Sequence, residues 1–343
     1  MKKMTMIIGG VAAVVVAVAV GIVVARPDGG PARATGPSPA PLLTSPPHTP
    51  YAQAVDAAHR NGLRIWIESD LVKRWRAGPE SFTSAIASIT ELARRPGVVG
   101  VKIADELGYH DGLDSPDKIR KFLTDANKAL RQALPGKLIL IDAIVPELGC
   151  LPDYEPPLRW ATICAAQARG QYPQLALDQF DTYLQNHLVD TLDLSTGLLT
   201  DKTYSGWGVD EVKAQRTAWQ EVHKRGWDKE VRLQARKALA HPGKYSATDT
   251  EQTVSTFVDV PKDEGAAAVD VWTWRQKYQG DIYRLLDPGL QPNSLWASLQ
   301  QRRARGDVLF THLSPQSVEV GLDTDLKVLS QVFTDLFVAA GTG

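Results

Sequence analysis

The stretch Val98–Gly108, "VVGVKIADELG", decides how the rest of the chain is read. It begins as a β-strand and ends on two adjacent carboxylates, with a lysine between. Side chains alternate across a strand with period 2, so Lys102 and Glu106 share one face while Val99, Val101 and Ile103 share the other. Asp105 takes the apolar side by parity, but it stands at the strand's end and is free to turn toward either surface. In an open doubly wound sheet helices cover both faces of a central strand, and both faces are apolar. This strand has one apolar face only.

The same division recurs outward from it. "LRIWIESD", "KLILIDAI", "VDTLDLST", "VRLQARKA" and "AAVDVWTW" read as further strands, separated by amphipathic helices such as "VDEVKAQRTAWQEVHKRG". "SPDKIRKFLTDANKALRQALPG" carries the marks of a complete helix: Ser115 as N-cap, Pro116 at the first position and Gly136 just past the end. One parity collects Arg64, Trp66, Glu68 and Asp70, then Lys102 and Glu106, Asp142, Asp193, Gln234 and Arg236, and finally Asp270, Trp272 and Trp274. The opposite parity collects Ile65, Ile67, Val231, Leu233, Val269 and Val271, which a ring of helices would cover. An α/β fold of the (β/α)8 TIM-barrel type accounts for both sets. Only six strands are evident, so the barrel is expected to be incomplete or rearranged at its N-terminal strands. The domain is placed at residues 51–306. Residues 307–343, with "DVLFTHLSP" as a strand and "LDTDLKVLSQVFTDLFVAA" as a helix, form a C-terminal extension packed on it.

Before the barrel, Met4–Ala25 is an uncharged run behind Lys2 and Lys3, about long enough for a bilayer core of roughly 30 Å. Residues 1–25 therefore read as a transmembrane signal anchor, with the bulk of the chain outside by the positive-inside rule. Cleavage after "ARA", Ala32–Ala34, is the alternative and would make the protein secreted. Residues 26–50 hold eight of the 22 prolines and read as a stiff linker. Cys150 and Cys164 flank a short proline-rich loop, and in an oxidising compartment they are a candidate disulfide. The formal net charge of -1, without a basic stripe, argues against nucleic acid as a partner. No cofactor is implied. CxxC, HxH and HExxH are absent, so no metal site is indicated; "YHDGLD", Tyr109–Asp114, reads as a turn rather than a metal loop.

The C-terminal strand ends of such a barrel carry its chemistry, and there the sequence gathers Glu68, Asp70, Asp105, Glu106, Asp193, Arg236, Trp272 and Trp274. Carboxylates beside tryptophans suit a carbohydrate. Glycoside hydrolysis uses one protonated and one ionised carboxyl, about 5 to 5.5 Å apart for retention or 6.5 to 9.5 Å for inversion, and aromatic faces hold the sugar. "GVVGVKIADELG" resembles the fourth strand of the retaining (β/α)8 glycoside hydrolases, with Glu106 at the place of their acid/base glutamate and Asp105 where they have asparagine. "AVDAAHRNGLRIWIESD", "AAVDVWTW" and "LLDPGLQPNSLWASL" resemble their third and eighth repeats, so that the likeness spans Tyr51–Arg305.

The resemblance implies a membrane-tethered extracellular glycosidase with Glu106 as general acid/base. It departs at the nucleophile strand, where "VRLQARKA" offers Gln234 and Arg236 in place of a glutamate. Three readings stay open. Asp193, Asp142 or Glu68 partners Glu106; or a catalytically silent barrel binds a polysaccharide or partner protein; or the chemistry differs, with Lys102 as a Schiff-base amine. The alternative for Lys102 is an ion pair with Glu106 on the same strand face. Trp66, Asp70, Lys102, Asp105, Asp142, Gln234, Arg236, Trp272 and Trp274 are the expected ligand contacts.

Overall fold

Alternation of short apolar strands with amphipathic helices produces a closed barrel. A computed structural model describes residues 49–152, 154–155 and 159–340. Eight strands among them form the wall: β1 Arg64–Glu68, β2 Val98–Ala104, β3 Leu138–Ile144, β4 Thr191–Ser195, β5 Arg232–Ala238, β6 Ala268–Trp272, β7 Leu309–Leu313 and β8 Asp335–Ala339. Neighbours pair in parallel in that order, and β8 closes the ring between β7 and β1. A helical segment precedes each strand, from Pro50–Arg60 before β1 to Leu322–Leu329 before β8. The ring of eight staves is thus closed, and the first described element, Pro50–Arg60, is a helix.

Three expectations change. The missing staves are not N-terminal: residues 307–343 supply β7 and β8 instead of packing on a finished barrel. "VFTDLFVAA", read as helix, ends in β8, because a strand buried on both faces shows no clean alternation. The linker's last two residues belong to the first helix, where the Thr49 side chain accepts from the Ala52 N–H and Pro50 occupies the first position. The expected anchor at 1–25 and the linker through residue 48 lie outside the described residues. Among the described residues no helix is long and apolar enough to cross a membrane, so nothing there supports the expected tether.

The outward faces of the staves and the inner faces of the helices make the main core, with Ile65, Ile67, Val101, Ile103, Leu192, Leu233, Val269 and Val271 fully covered. Inside the wall, at the N-terminal end, Trp66 packs with Leu140, Ala268, Phe310 and Phe337. Gly100 permits this. A Cβ there would lie 2.4 Å from the Trp66 ring and 2.6 Å from the Leu138 carbonyl. At the C-terminal end, a hairpin of Arg275–Tyr278 and Asp281–Arg284 follows directly on β6, with His241–Pro242 paired to its outer strand. Cys150 and Cys164 are joined in a disulfide that ties the helix Arg159–Gln171 to the short helix Pro146–Gly149 after β3.

Candidate active site at the C-terminal mouth of the barrel

A bulge brings the two carboxylates of the decisive stretch inward. Pairing of β2 with β3 shifts between Lys102 and Ala104, so Asp105 leaves the apolar parity and reaches Lys102 at 3.2 Å. Glu106 then sits at φ 52, in the left-handed region that residues with a Cβ seldom occupy. Its backbone N–H donates to Asp142 Oδ1, and the next N–H, of Leu107, donates to the Asp142 carbonyl. Asp142 therefore fixes the turn that aims Glu106 toward the axis. The Glu106 carboxylate meets Arg236 Nη1 at 3.2 Å.

Lys102 is wholly buried among acids. Its Nζ lies 2.6 Å from Asp142 Oδ2, 2.8 Å from Glu68 Oε1 and 3.2 Å from Asp105 Oδ1. Burial works against its charge, but Asp142, Glu68 and Asp105 together outweigh it and hold the amine protonated far above the usual range. Its partners do not include Glu106, so the expected ion pair is corrected to one with Asp142, Glu68 and Asp105; a cation so held lacks the free amine that the Schiff-base reading calls for. Arg236 spans the mouth from β5, with Asp105 and Asp142 at 3.6 Å and Asp270 at 3.9 Å.

A third cation, His312 of β7, escaped the sequence reading. Its Nδ1 meets Glu68 Oε2 at 2.9 Å and its Nε2 meets Asp270 Oδ2 at 2.7 Å. Although burial disfavours the imidazolium, Asp270 and Glu68 outweigh it and push the ring up to about 10. In turn burial would raise Glu68, yet His312 and Lys102 bring it down to about 2. Asp270 is lowered against the same burial by His312, and Asp105 is held well below the carboxylate range by Lys102 and Arg236. The signal for His312 lay in the parity of "LFTHLS", which puts Phe310 and His312 on the inner face once that segment is a stave.

Two carboxyls go the other way. Asp193, wholly buried and without an ion-pair partner among the described residues, is raised far above its ordinary value by burial and by the charges of Asp270 and Asp142. Asp142 is pushed up to about 7, because burial and neighbouring Asp105 outweigh Arg236 and Lys102. Six carboxyls face three cations here, so some of the acids keep their protons. Asp142 is the one for which that balance falls at about 7.

The remaining expected contacts separate. Trp272 is half-buried in the mouth against Tyr278 and Tyr283 of the hairpin. Gln234 is buried inside the wall at the level of Asp193, its register partner. Trp66 lies at the opposite end, its Nε1 donating to Asp335. Trp274 leaves the interior to pack on Trp296 and donate to Asp325. Asp70 caps the helix Leu71–Arg76 by accepting from the Lys73 N–H. Asp111 of the "YHDGLD" turn accepts from the Gly108 and Leu113 N–H groups, and among the described residues no group of three or more His, Cys, Asp or Glu side chains is arranged to hold a metal.

No protein-family model matches the chain, and no curated protein does. Similar solved structures include 2,3-dimethylmalate lyase of the PEP mutase/isocitrate lyase superfamily, at 14% identity over 86% of this chain and 81% of that one, with a TM-score of 0.37. The carboxyl transferase domain of Rhizobium etli pyruvate carboxylase shares 10% identity over 92% of this chain and 46% of that one, at 0.40. A protein from Anabaena variabilis assigned as a sugar phosphate isomerase/epimerase shares 12% identity over 81% and 84%, at 0.45. None of the three is a glycoside hydrolase. The geometry of the mouth corrects the resemblance to that family: Glu106 is tied to Arg236, Glu68 is tied to Lys102 and His312, Asp193 is sealed inside the wall, and the nucleophile strand presents Gln234 and Arg236.

Proposed function

We propose that the chain is a barrel enzyme of the lyase or isomerase type, which moves a proton on a small carbonyl substrate bearing an anionic group. Asp142 is the proton carrier. The observation that carries this reading is a buried carboxyl at about 7, placed near the C-terminal end of a stave between two cations. A base works best when its pKa lies near the working pH.

Arg236, nearly covered but at the mouth, receives the substrate's anionic group. Moving toward that group, the guanidinium withdraws from Asp142, uncovers its carboxylate and strengthens it as a base. Asp142 then takes the proton beside the carbonyl. The electron pair moves onto the carbonyl oxygen, where the Lys102 ammonium stabilises the charge. Return of the proton at the former carbonyl carbon, with the neighbouring hydroxyl proton passing to the old carbonyl oxygen, isomerises a 2-hydroxy carbonyl substrate. Alternatively the electron pair returns from the oxygen, restores the carbonyl, forms the carbon–carbon double bond and leaves with a β-group, which is elimination. Glu106, half-buried at the rim, is placed to exchange that proton with solvent.

Solvent deuterium incorporation, followed by NMR over a panel of 2-oxo acids and phosphorylated ketoses, tests the reading. The wild type is expected to exchange the proton beside the carbonyl of at least one compound, with a rate that rises through about pH 7. Asp142→Asn is expected to slow exchange by about 10² or more. Exchange that survives Asp142→Asn, or a panel without exchange together with an Asp142 that titrates as an ordinary carboxylate, overturns it.

A further inference from the structure

The other end of the barrel holds a second set of polar groups. Arg64 opens β1 and Arg232 opens β5, four staves away, and both share the inward parity of Glu68 and Arg236. Asp335, wholly buried at the start of β8, takes Arg64 Nε at 3.2 Å and Nη2 at 2.7 Å. It also accepts from Trp66 Nε1 and the Thr334 hydroxyl, which occupies both of its oxygens. Arg232 has no such carboxylate. Among the described residues its Nε is buried without a hydrogen-bond partner, and so is the hydroxyl of Thr191, its register partner on β4, which is 1% exposed.

Nearby charges do not cancel this cation. Asp190 is taken by Arg131 and by the Ile139 N–H, while Lys137 adds a further positive charge at the rim, donating to the Val98 carbonyl. Burial and the Arg64 charge together lower Arg232 from its ordinary value, with Asp335 offsetting only part. Cations thus outnumber carboxylates around this opening.

We infer that the N-terminal opening of the barrel binds a small oxyanion of the phosphate class, between Arg232 and Arg64, with the Thr191 hydroxyl as a further donor. Guanidinium forks match the edges of phosphate, and donors on three staves suit an ion with more than two acceptor corners. The site is separate from the mouth, whose cations are Lys102, Arg236 and His312.

Titration calorimetry of the whole chain with inorganic phosphate, glycerol 3-phosphate and acetate tests it. The wild type is expected to bind phosphate saturably and acetate more weakly. Arg232→Gln is expected to weaken phosphate by about tenfold or more and Thr191→Val by a smaller factor, with circular dichroism unchanged. The saturable component that Arg232→Gln removes is expected to persist in Arg236→Gln, which takes away only the anion-receiving group of the mouth. Glycerol 3-phosphate binding as tightly as phosphate extends the class to phosphomonoesters, and phosphate alone confines it to the free ion; both support the site. No saturable phosphate binding, acetate binding as tightly, or loss with Arg236→Gln but not with Arg232→Gln overturns it, the last by placing the ion at the mouth. Because the mouth reading is judged by proton exchange and Asp142, the two proposals fail separately.

Discussion

The interior of this barrel has two unlike sides. Where β7, β8 and β1 meet, rings fill the N-terminal end: Trp66 lies 6.1 Å from Phe310 and 6.2 Å from Phe337, and those two lie 5.4 Å apart. Above them His312 joins Glu68 to Asp270. Along β4 and β5, by contrast, Thr191, Asp193, Gln234 and the Arg232 Nε are buried without protein partners. Buried polar groups without partners cost free energy, so a wall selected for stability alone would not keep them. The first side holds the barrel together, and the second is the one on which both proposals draw.

Three measurements break or sharpen that contrast. The largest effect belongs to the ring side. Trp66→Ala removes a buried ring and the donor to Asp335, and is expected to cost about 3–5 kcal/mol in chemical denaturation. A loss under about 1 kcal/mol would mean that the rings do not anchor the closure.

Next is the His312 bridge. Its pKa is raised on folding from 6.5 to about 10, so its contribution is complete below 6.5 and lost as pH rises toward 10. Asp142, raised from 3.8 to about 7, also lowers stability with rising pH, over that lower range. Glu68, lowered from 4.5 to about 2, acts oppositely: its contribution is present above 4.5 and lost as pH falls toward 2. Melting temperature is therefore expected to decline between pH 6.5 and 10. His312→Gln should flatten that decline while costing a few kcal/mol at neutrality, since it takes the imidazolium from two buried acids and leaves Glu68 with Lys102 and Asp270 with the more distant Arg236. An alkaline limb unchanged in the mutant would show that the imidazolium does not carry it.

The smallest effect belongs to the polar side. Burial and the charges of Asp270 and Asp142 push Asp193 toward its neutral form, so Asp193→Asn, of the same shape, is expected to change stability by less than about 1 kcal/mol. A large loss would mean that Asp193 is ionised and paired, and that the two sides are less different than they look.

Much of this was legible in the sequence, for reasons that also explain what was not. Six staves and their inward faces followed from local alternation, and Lys102, Asp105, Glu106, Asp142 and Arg236 do converge. Asp105 needed the bulge at Ile103 and Ala104, which no periodicity announces. His312 and β8 were missed together, because β8 is apolar on both faces and its place depends on a partner at the other end of the chain. Trp66, Trp274 and Asp70 show the limit of parity. It says which face a side chain takes, but not at which end of the barrel, nor whether the strand has already ended. The glycosidase resemblance rested on short strand motifs, whose residue types suit any barrel with a charged mouth.

The closure between β8 and β1 bears on how the chain reaches this state. Arg64 and Asp335 are 271 residues apart, and the ring is finished only when they meet. Until then β1 and β7 are open edges, each with unpaired N–H and carbonyl groups ready to recruit another strand. Contacts of such separation form slowly, since the loop entropy must be lost before the pairing rewards it. On a ribosome emitting about 5–20 residues per second, β1 waits many seconds for its last neighbour. Folding yield should therefore depend on chain concentration and on chaperones that shield strand edges far more than the stability of the finished barrel would indicate.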